Sequence, residues 1–140
     1  MGNMLPSCVF CKIAQFVLPA DFVYQDEDAL VFLDHYPVYK GHVLVIPRQH
    51  IQVVTDLSDD QVASFFRLVK RVTKAVEIAL GADGSFVAMN NRVSQSVPHL
   101  HVHVVPRKKK DGLRGFFWPR VHYSSDEERK QICAQIIASM

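Results

Sequence analysis

The chain has 140 residues, 49% of them hydrophobic, which fits a single domain over residues 1–140 and excludes two self-sufficient domains. The formal net charge is +2 and the basic residues are scattered apart from residues 107–110, so we expect a small anionic partner and no long nucleic acid. No apolar run approaches the roughly 20 residues that span a bilayer, and three cysteines are too few for a disulfide framework, so we expect a cytoplasmic protein without a membrane partner.

The predicted elements begin with a short helix over residues 8–15 and continue with several strands. Five segments are rich in β-branched or aromatic residues and are bounded by Asp, Gly, Asn or Pro, which is typical of strands. They are residues 22–24, 29–33, 42–46, 85–89 and 100–105.

Two longer helices are predicted from capping signals. The first begins at Ser58, where Ser58-Asp59-Asp60-Gln61 has the form of a capping box, and it ends at Gly81. Its apolar residues recur at three- and four-residue steps and predict a stripe that packs on a sheet: Val62, Phe65, Val69, Val72, Val76 and Ala79. The second begins at Ser125 and carries Ile132, Ile136 and Ile137 on one side.

These elements predict an α+β fold. Strands joined by hairpin-length connections, together with two separated helices, indicate one antiparallel sheet that is covered on one face. We expect the other face of the sheet to hold the functional site.

The segment that carries the chemistry is Pro98-His99-Leu100-His101-Val102-His103-Val104-Val105. Side chains on a strand alternate between faces, so the three histidines share one face while Leu100, Val102 and Val104 face the core. Three imidazoles at a spacing of two residues would repel one another if all were charged, which indicates fixed protonation states and a chemical use.

Two uses of these histidines compete. Histidines at alternate strand positions present nitrogen ligands for a metal such as zinc, which would act as a Lewis acid. Alternatively, one imidazole is a nucleophile and its neighbours hold protons or charge. The preceding segment, residues 90–97, is rich in neutral donors that suit a phosphoryl group, and most carboxylates lie far away in sequence, so nucleophilic catalysis is favoured.

The sequence resembles the histidine-triad (HIT) family, whose signature is His-φ-His-φ-His-φ-φ with φ apolar. Residues 99–105 fit this signature at every position, and Gln95-Ser96-Val97 matches the segment that usually precedes it. Further matches are Phe10-Cys11-Lys12-Ile13, Phe32-Leu33-Asp34, residues 41–47 and His50-Ile51, so the resemblance covers nearly the whole chain.

The resemblance implies a nucleotide hydrolase or transferase that needs no catalytic organic cofactor. His101 would attack the α-phosphate of an adenosine-type nucleotide and form a covalent nucleotidyl-histidine, with its other nitrogen donating to the carbonyl of His99. His103 would contact the phosphate, and Ser96 would also assist the leaving group.

The resemblance also implies the substrate-binding residues. Asn90, or Asn91 in its place, and Gln95 would contact the phosphate. Asp34 would hold the ribose hydroxyls, although it also reads as a turn residue. The base would lie in an apolar slot of Phe10, Ile13 and Phe32, which without the resemblance read as core residues.

A structural zinc and a homodimer are implied by similarity to particular members of the family. Cys8, Cys11, His50 and His99 resemble the Cys₂His₂ zinc site of phosphoramidase-like members, the alternative being two buried thiols. A twofold dimer is expected by analogy.

The choice of leaving group divides two branches of the family. The basic residues 107–110 with Arg114 and Arg120, and Trp118 for stacking on a second base, are similar to the fragile-histidine-triad branch and favour dinucleoside polyphosphates with AMP as a product. The alternatives are an adenosine 5'-phosphoramidate, or nucleotide binding with little turnover.

Overall fold

The computed structural model describes residues 4–114 and 119–140. Within them lie three α-helices, α1 (Val9–Ala14), α2 (Asp59–Ala79) and α3 (Asp126–Ser139), and a 3₁₀ turn at Val54–Asp56. The five strands are β1 (Phe22–Gln25), β2 (Ala29–Leu33), β3 (Val43–Pro47), β4 (Gly84–Ala88) and β5 (Val102–Arg107). The α+β prediction is therefore confirmed, and strand ends differ from the predicted ones by one or two residues.

The strands form one antiparallel sheet in the order β1-β2-β3-β5-β4. Helix α2 connects β3 to β4 at the edge of the sheet, and β5 then returns to lie between β3 and β4. Leu44 on β3 lies opposite His103 on β5, which brings the histidine strand to the middle of the sheet.

Helix α2 covers one face of the sheet, as its apolar stripe predicts. Its buried residues are Phe65, Leu68, Val69, Val72 and Val76. They share a core with Val31, Val45, Leu100, Val102 and Val104. The capping box at Ser58 is present, and it explains why the helix begins there.

The second face of the sheet is also partly covered, which corrects the expectation of a sheet covered on one face alone. Helix α1 lies on it, and a second core joins Phe10 and Ile13 of α1 to Leu30, Leu44 and Ile46 of the strands. The reason is that β2 and β3 are apolar at every position, so both of their faces need cover, and all of these residues except Leu33 are buried.

Helix α3 begins at the predicted Ser125 cap, but its apolar side is not buried. Ile136 and Ile137 are 60% and 67% exposed, and α3 has no buried residue within the described part of the chain. A stripe of three isoleucines is thus enough to favour a helix but does not place it on the core. Among the described residues, no helix is long and apolar enough to cross a membrane.

Candidate active site

The three histidines of residues 99–103 lie on the sheet face opposite α2, as strand alternation predicts. Their neighbours Leu100, Val102 and Val104 are fully buried beneath α2. Strand β5 begins only at Val102, so His99 and His101 precede it, and the Leu100 amide donates to the carbonyl of Ile51 at 2.6 Å. This bond holds the segment in line with the sheet.

His101 is oriented by the main chain. Its Nδ1 lies 2.7 Å from the carbonyl oxygen of His99, and a carbonyl can only accept, so Nδ1 carries the proton. When the ring is neutral, its lone pair is therefore on Nε2. The ring is 4% exposed and stands edge-on to Phe10 at 5.1 Å between centroids. The arrangement presents one unprotonated nitrogen in a fixed direction, which is what a nucleophilic imidazole needs.

His103 contacts a fourth histidine on the same face. His103 Nδ1 lies 2.9 Å from His42 Nε2, and the amide of Val38 donates to His42 Nδ1 at 3.1 Å. Burial, together with the nearby His101 and His42 rings, lowers the pKa of His103 to about 4. Burial also lowers the pKa of His42, against the opposing effect of Asp34. Both rings are therefore neutral near pH 7.

His42 is a residue of this constellation that sequence reasoning missed. The signal was present, because His42, Leu44 and Ile46 alternate on one face of the predicted strand and Leu44 lies opposite His103. Gly41 shapes the turn before it with φ +96°, and a Cβ at that position would lie 2.9 Å from Leu80 Cγ. Glycine is required there for both reasons.

Asp34 takes part in the turn that follows β2. Its Oδ1 accepts from the Tyr36 amide at 2.8 Å, and its Oδ2 lies 3.6 Å from His42 Nε2. The turn role considered from the sequence is thus present. Oδ2 faces the histidines, so the carboxylate also lies beside the candidate active site.

The predicted metal residues come together behind the histidines. Cys8 Sγ lies 3.4 Å from His99 Nδ1, and Cys11 Sγ lies 3.3 Å from His50 Nδ1 and 3.6 Å from His99 Nδ1. The four donor atoms are within 4.8 Å of one another, and three of the four residues are buried. The fold thus brings together residues from three distant parts of the sequence: Cys8 with Cys11, His50, and His99.

The geometry and protonation of this cluster fit a tetrahedral zinc. Zinc bonds of ~2.3 Å to sulfur and ~2.05 Å to nitrogen place a sulfur and a nitrogen about 3.6 Å apart, close to the three distances observed. His99 Nε2 donates to the carbonyl of Pro47 at 2.7 Å, which leaves the Nδ1 lone pair facing the sulfurs. Burial lowers the pKa of His99 to about 4, so the ring is neutral and its Nδ1 lone pair can bind a metal.

The Nδ1 atoms of His99, His101 and His103 do not point toward one shared position. Nδ1 of His99 faces the cysteines, Nδ1 of His101 faces the carbonyl of His99, and Nδ1 of His103 faces His42. This arrangement does not favour a Lewis-acid metal held by all three.

The residues predicted for the base slot are core residues in this structure. Phe10, Ile13 and Phe32 are 7%, 6% and 2% exposed, and Phe10 packs edge-on against Phe32, His99 and His101. They lie on the histidine face of the sheet. Their packing role is therefore present, and a slot for a base remains a prediction.

The loop before the histidines uses its polar side chains to hold its own shape. Asn90 Nδ2 donates to the carbonyl of Ser94, and Asn91 Oδ1 accepts from the amide of Val54. Gln95 bridges the amide of Arg92 and the carbonyl of Gln52. Ser96 is exposed. Phosphate contacts by Asn90, Gln95 and Ser96 stay predictions, and Asn90 and Gln95 have structural partners here.

Two basic side chains at the end of β5 and just after it, Arg107 and Lys108, make hydrogen bonds within the protein. Arg107 makes a two-point contact with Asp111 and also donates to the carbonyl of Leu113. Lys108 Nζ donates to the carbonyl of Gly81 after the end of α2. Trp118, expected to stack on a second base, lies outside the described residues.

Comparison with known proteins identifies the family. The HIT domain model matches residues 15–110, which include β1 to β5 and all four histidines of the candidate active site. The chain belongs to the HIT family. The HIT signature and the α+β fold expected from the sequence are both confirmed by this match.

Relatives and solved structures of HIT proteins resemble this chain over most of its length. An uncharacterised HIT-like protein of Methanocaldococcus jannaschii is 39% identical over 127 residues, 89% of this chain and 98% of its own. The adenosine 5'-monophosphoramidase of Schizosaccharomyces pombe is 38% identical over 123 residues, 86% of this chain and 90% of its own. A crystal structure of a HIT family member from Bacillus subtilis, 34% identical, superposes with a TM-score of 0.86 and covers 96% and 97% of the two chains.

Proposed function

We propose that this HIT protein hydrolyses a nucleotide at its α-phosphorus through a covalent nucleotidyl-His101 intermediate. The observation that carries the proposal is the 2.7 Å contact between His101 Nδ1 and the His99 carbonyl, which places the lone pair of the neutral imidazole on Nε2. The family supports hydrolysis of a nucleotide in general terms, since the fission yeast relative is named a monophosphoramidase and an Arabidopsis thaliana relative, 34% identical over 108 residues, an adenylylsulfatase.

The reaction has two displacements at the same phosphorus. In the first, His101 Nε2 forms a bond to the α-phosphorus while the bond to the leaving group breaks, and the leaving group takes a proton, for which Ser96 is the proposed donor. In the second, a water oxygen forms the bond to phosphorus, the P–N bond breaks, and the water gives its proton to Ser96, which restores the serine hydroxyl. His103 donates a hydrogen bond to a phosphate oxygen as charge develops on it. Asp34 holds the ribose, and Phe10, Ile13 and Phe32 border the base.

A small leaving group, such as an amine or sulfate, suits the structure best. Arg107 and Lys108 have partners within the protein, which removes much of the argument for a polyphosphate leaving group. The named relatives act on a phosphoramidate and an adenylyl sulfate, according to their names. Dinucleoside polyphosphate hydrolysis, the preference drawn from the sequence, therefore becomes the second candidate.

Trapping of the intermediate tests the mechanism. Wild-type protein mixed with an adenosine phosphoramidate and quenched in base within milliseconds should carry AMP on His101, as mapped by mass spectrometry of peptides. His101→Ala should carry none and should turn over at least a thousandfold more slowly while its far-UV circular dichroism is unchanged. A variant that keeps a tenth of the wild-type rate would rule out the proposed nucleophile.

A substrate panel tests the leaving group. The values of kcat/KM for adenosine phosphoramidate, adenylyl sulfate, and diadenosine tri- and tetraphosphate should be measured side by side. We expect one of the first two to exceed both dinucleotides by at least tenfold. A preference for a dinucleotide would favour the second candidate, and AMP binding without turnover of any compound would identify a binding protein.

We also propose a structural zinc on Cys8, Cys11, His50 and His99. Support comes from the fit of the donor distances, and from a zinc-bound histidine triad protein of Mycobacterium smegmatis whose structure has a TM-score of 0.72 at 35% identity, covering 96% and 98% of the two chains. The metal would tie α1 to the loop after β3 and to the histidine segment, and it would contribute to folding stability.

Metal analysis of protein purified without added metal tests this site. We expect close to one equivalent of zinc in wild type and less than a fifth in Cys11→Ser. Cys133→Ser is the matched control, because Cys133 is exposed on α3 and should leave the zinc content unchanged. Less than a fifth of an equivalent in wild type would reject the site.

A twofold dimer remains a proposal. Strand β4 is at the edge of the sheet, and Val87 on it is 43% exposed. Ile78, near the end of α2, is 69% exposed. Pairing of two β4 edges would cover such residues. Light scattering should give twice the chain mass of 15.9 kDa, and a value at the single-chain mass over the micromolar range would reject the dimer.

A further inference from the structure

We infer that His42 is a positioning residue that, held by the main-chain amide of Val38, keeps the proton of His103 on Nε2 and so makes His103 a hydrogen-bond donor to substrate. The inference rests on the proposed function only for the identity of the acceptor, a phosphate oxygen. The position of the proton follows from contacts among residues 34–42 and His103.

The direction of each hydrogen bond is determined by the first donor. A main-chain amide can only donate, so the Val38 amide requires His42 Nδ1 to be an acceptor without a proton. In a neutral imidazole the proton must then be on Nε2. His42 Nε2 therefore donates to His103 Nδ1 across 2.9 Å, and the His103 proton is left on Nε2.

Asp34 supports the same assignment. Its Oδ2 lies 3.6 Å from His42 Nε2, so the carboxylate favours a proton on that nitrogen and not on Nδ1. His42 itself is 3% exposed, its carbonyl accepts from the Asp34 amide, and its own amide donates to the carbonyl of Tyr39. The main chain of His42 is thus fixed by two hydrogen bonds within the loop of residues 34–42, which limits movement of its ring.

Two main-chain groups therefore give adjacent imidazoles opposite properties. The His99 carbonyl places a proton on His101 Nδ1 and leaves a lone pair on Nε2. The Val38 amide, acting through His42, leaves His103 with a proton on Nε2. The rings of His101 and His103 are 5.0 Å apart between centroids. A nucleophile and a neutral donor are thus presented side by side, and a phosphoryl group can meet both.

Nitrogen spectroscopy tests the proton positions without any substrate. Long-range ¹H–¹⁵N correlation spectra of protein labelled on histidine distinguish protonated from unprotonated ring nitrogens. At pH 7.5 we expect His103 and His42 to be protonated on Nε2 alone, and His101 on Nδ1 alone. In His42→Leu, part of the His103 population should carry its proton on Nδ1, because the donor is gone and either tautomer is allowed.

Kinetics of three variants separate positioning from packing. His42→Leu keeps bulk but removes the donor, and kcat should fall by about fivefold to fiftyfold, below the hundredfold or more that is typical for loss of a whole oxyanion donor, with KM within about threefold. His42→Gln retains an N–H that can reach His103 and should recover at least a third of wild-type kcat. His35→Leu makes the same change at an exposed histidine of the same loop and should leave kcat within twofold.

A fourth variant tests the amide itself. Val38→Pro removes the Val38 N–H, and it should shift the His103 proton position in the same direction as His42→Leu, provided that its melting temperature shows a folded protein.

Three results would overturn the inference. They are a wild-type His103 protonated on Nδ1, a His42→Leu protein whose His103 spectrum and kcat both match wild type, and a His42→Gln protein as slow as His42→Leu. Failure of the proposed function is a separate outcome, because a protein with no turnover of any nucleotide would still show the expected nitrogen spectra.

Discussion

At the scale of single residues, His99 connects two parts of the site. Its side chain lies among Cys8, Cys11 and His50, while its carbonyl oxygen orients His101. The proposed zinc and the proposed nucleophile are thus attached to one residue. Any shift of the His99 backbone would turn the His101 ring, which gives a physical reason for anchoring His99 by side-chain bonds on both nitrogens.

The lysines after β5 give a prediction at the same scale. Lys109→Gln with Lys110→Gln should change kcat/KM for a diadenosine polyphosphate and for a phosphoramidate by the same factor, within about twofold. Arg107 lies four residues after His103 on β5, which is roughly 13 Å at ~3.3 Å per residue, so the lysines lie still further along the chain. Parallel assays of both substrates at low salt are the measurement. A decrease in kcat/KM of threefold or more for the dinucleotide alone would instead support dinucleoside polyphosphate as the substrate.

At the scale of elements, the ends of α2 are determined by local hydrogen bonds. Ser58 Oγ accepts from the Gln61 amide at 3.2 Å, and Gln61 Oε1 accepts from the Ser58 amide at 2.9 Å. At the other end, Lys108 donates to the carbonyl of Gly81. Because α2 covers the core beneath the histidine segment, the stability of this helix supports the site from the opposite face of the sheet.

Loss of the cap should be measurable. Ser58→Ala should lower the free energy of unfolding by about 1 kcal/mol, because the Gln61 amide loses its acceptor. Urea denaturation followed by circular dichroism is the measurement. Ser64→Ala in the same helix is the control, since Ser64 Oγ donates to the carbonyl of Gln61 and does not cap, and its effect should be within about 0.5 kcal/mol. Equal effects of the two changes would contradict the role of the cap.

At the scale of the whole molecule, the buried histidines make stability depend on pH. The folded-state pKa of His103 is lowered to about 4 from 6.5, so between these values the unfolded chain binds a proton that the folded protein does not. The stabilisation is fully present above pH 6.5 and is lost as the pH falls to about 4.

This pH dependence can be checked with one substitution. The free energy of unfolding of wild type should fall between pH 7 and pH 4 by about 1–2 kcal/mol more than that of His103→Gln, a value reduced for the partial exposure of the ring. Urea titrations of both proteins at several pH values give the comparison. Parallel curves would show that His103 is not held neutral by the fold.

Much of this protein follows from the sequence because the signals are local and periodic. The alternation of His99, Leu100, His101, Val102 and His103 determines which side chains share a face of the sheet, and Ser58 with Gln61 determines where α2 begins. Both depend on neighbours within a few residues, for which backbone geometry leaves little freedom.

Other features depend on contacts between distant residues, and only the tertiary structure decided them. The partnership of His42 with His103 joins residues 61 positions apart, and its direction comes from an amide in a loop without periodicity. The same holds for Arg107. From the sequence its charge was expected to contact substrate, but in the folded chain it is paired with Asp111. The exposed isoleucines of α3 are the converse case, because an apolar stripe predicts a helix face but only packing can show whether that face is covered.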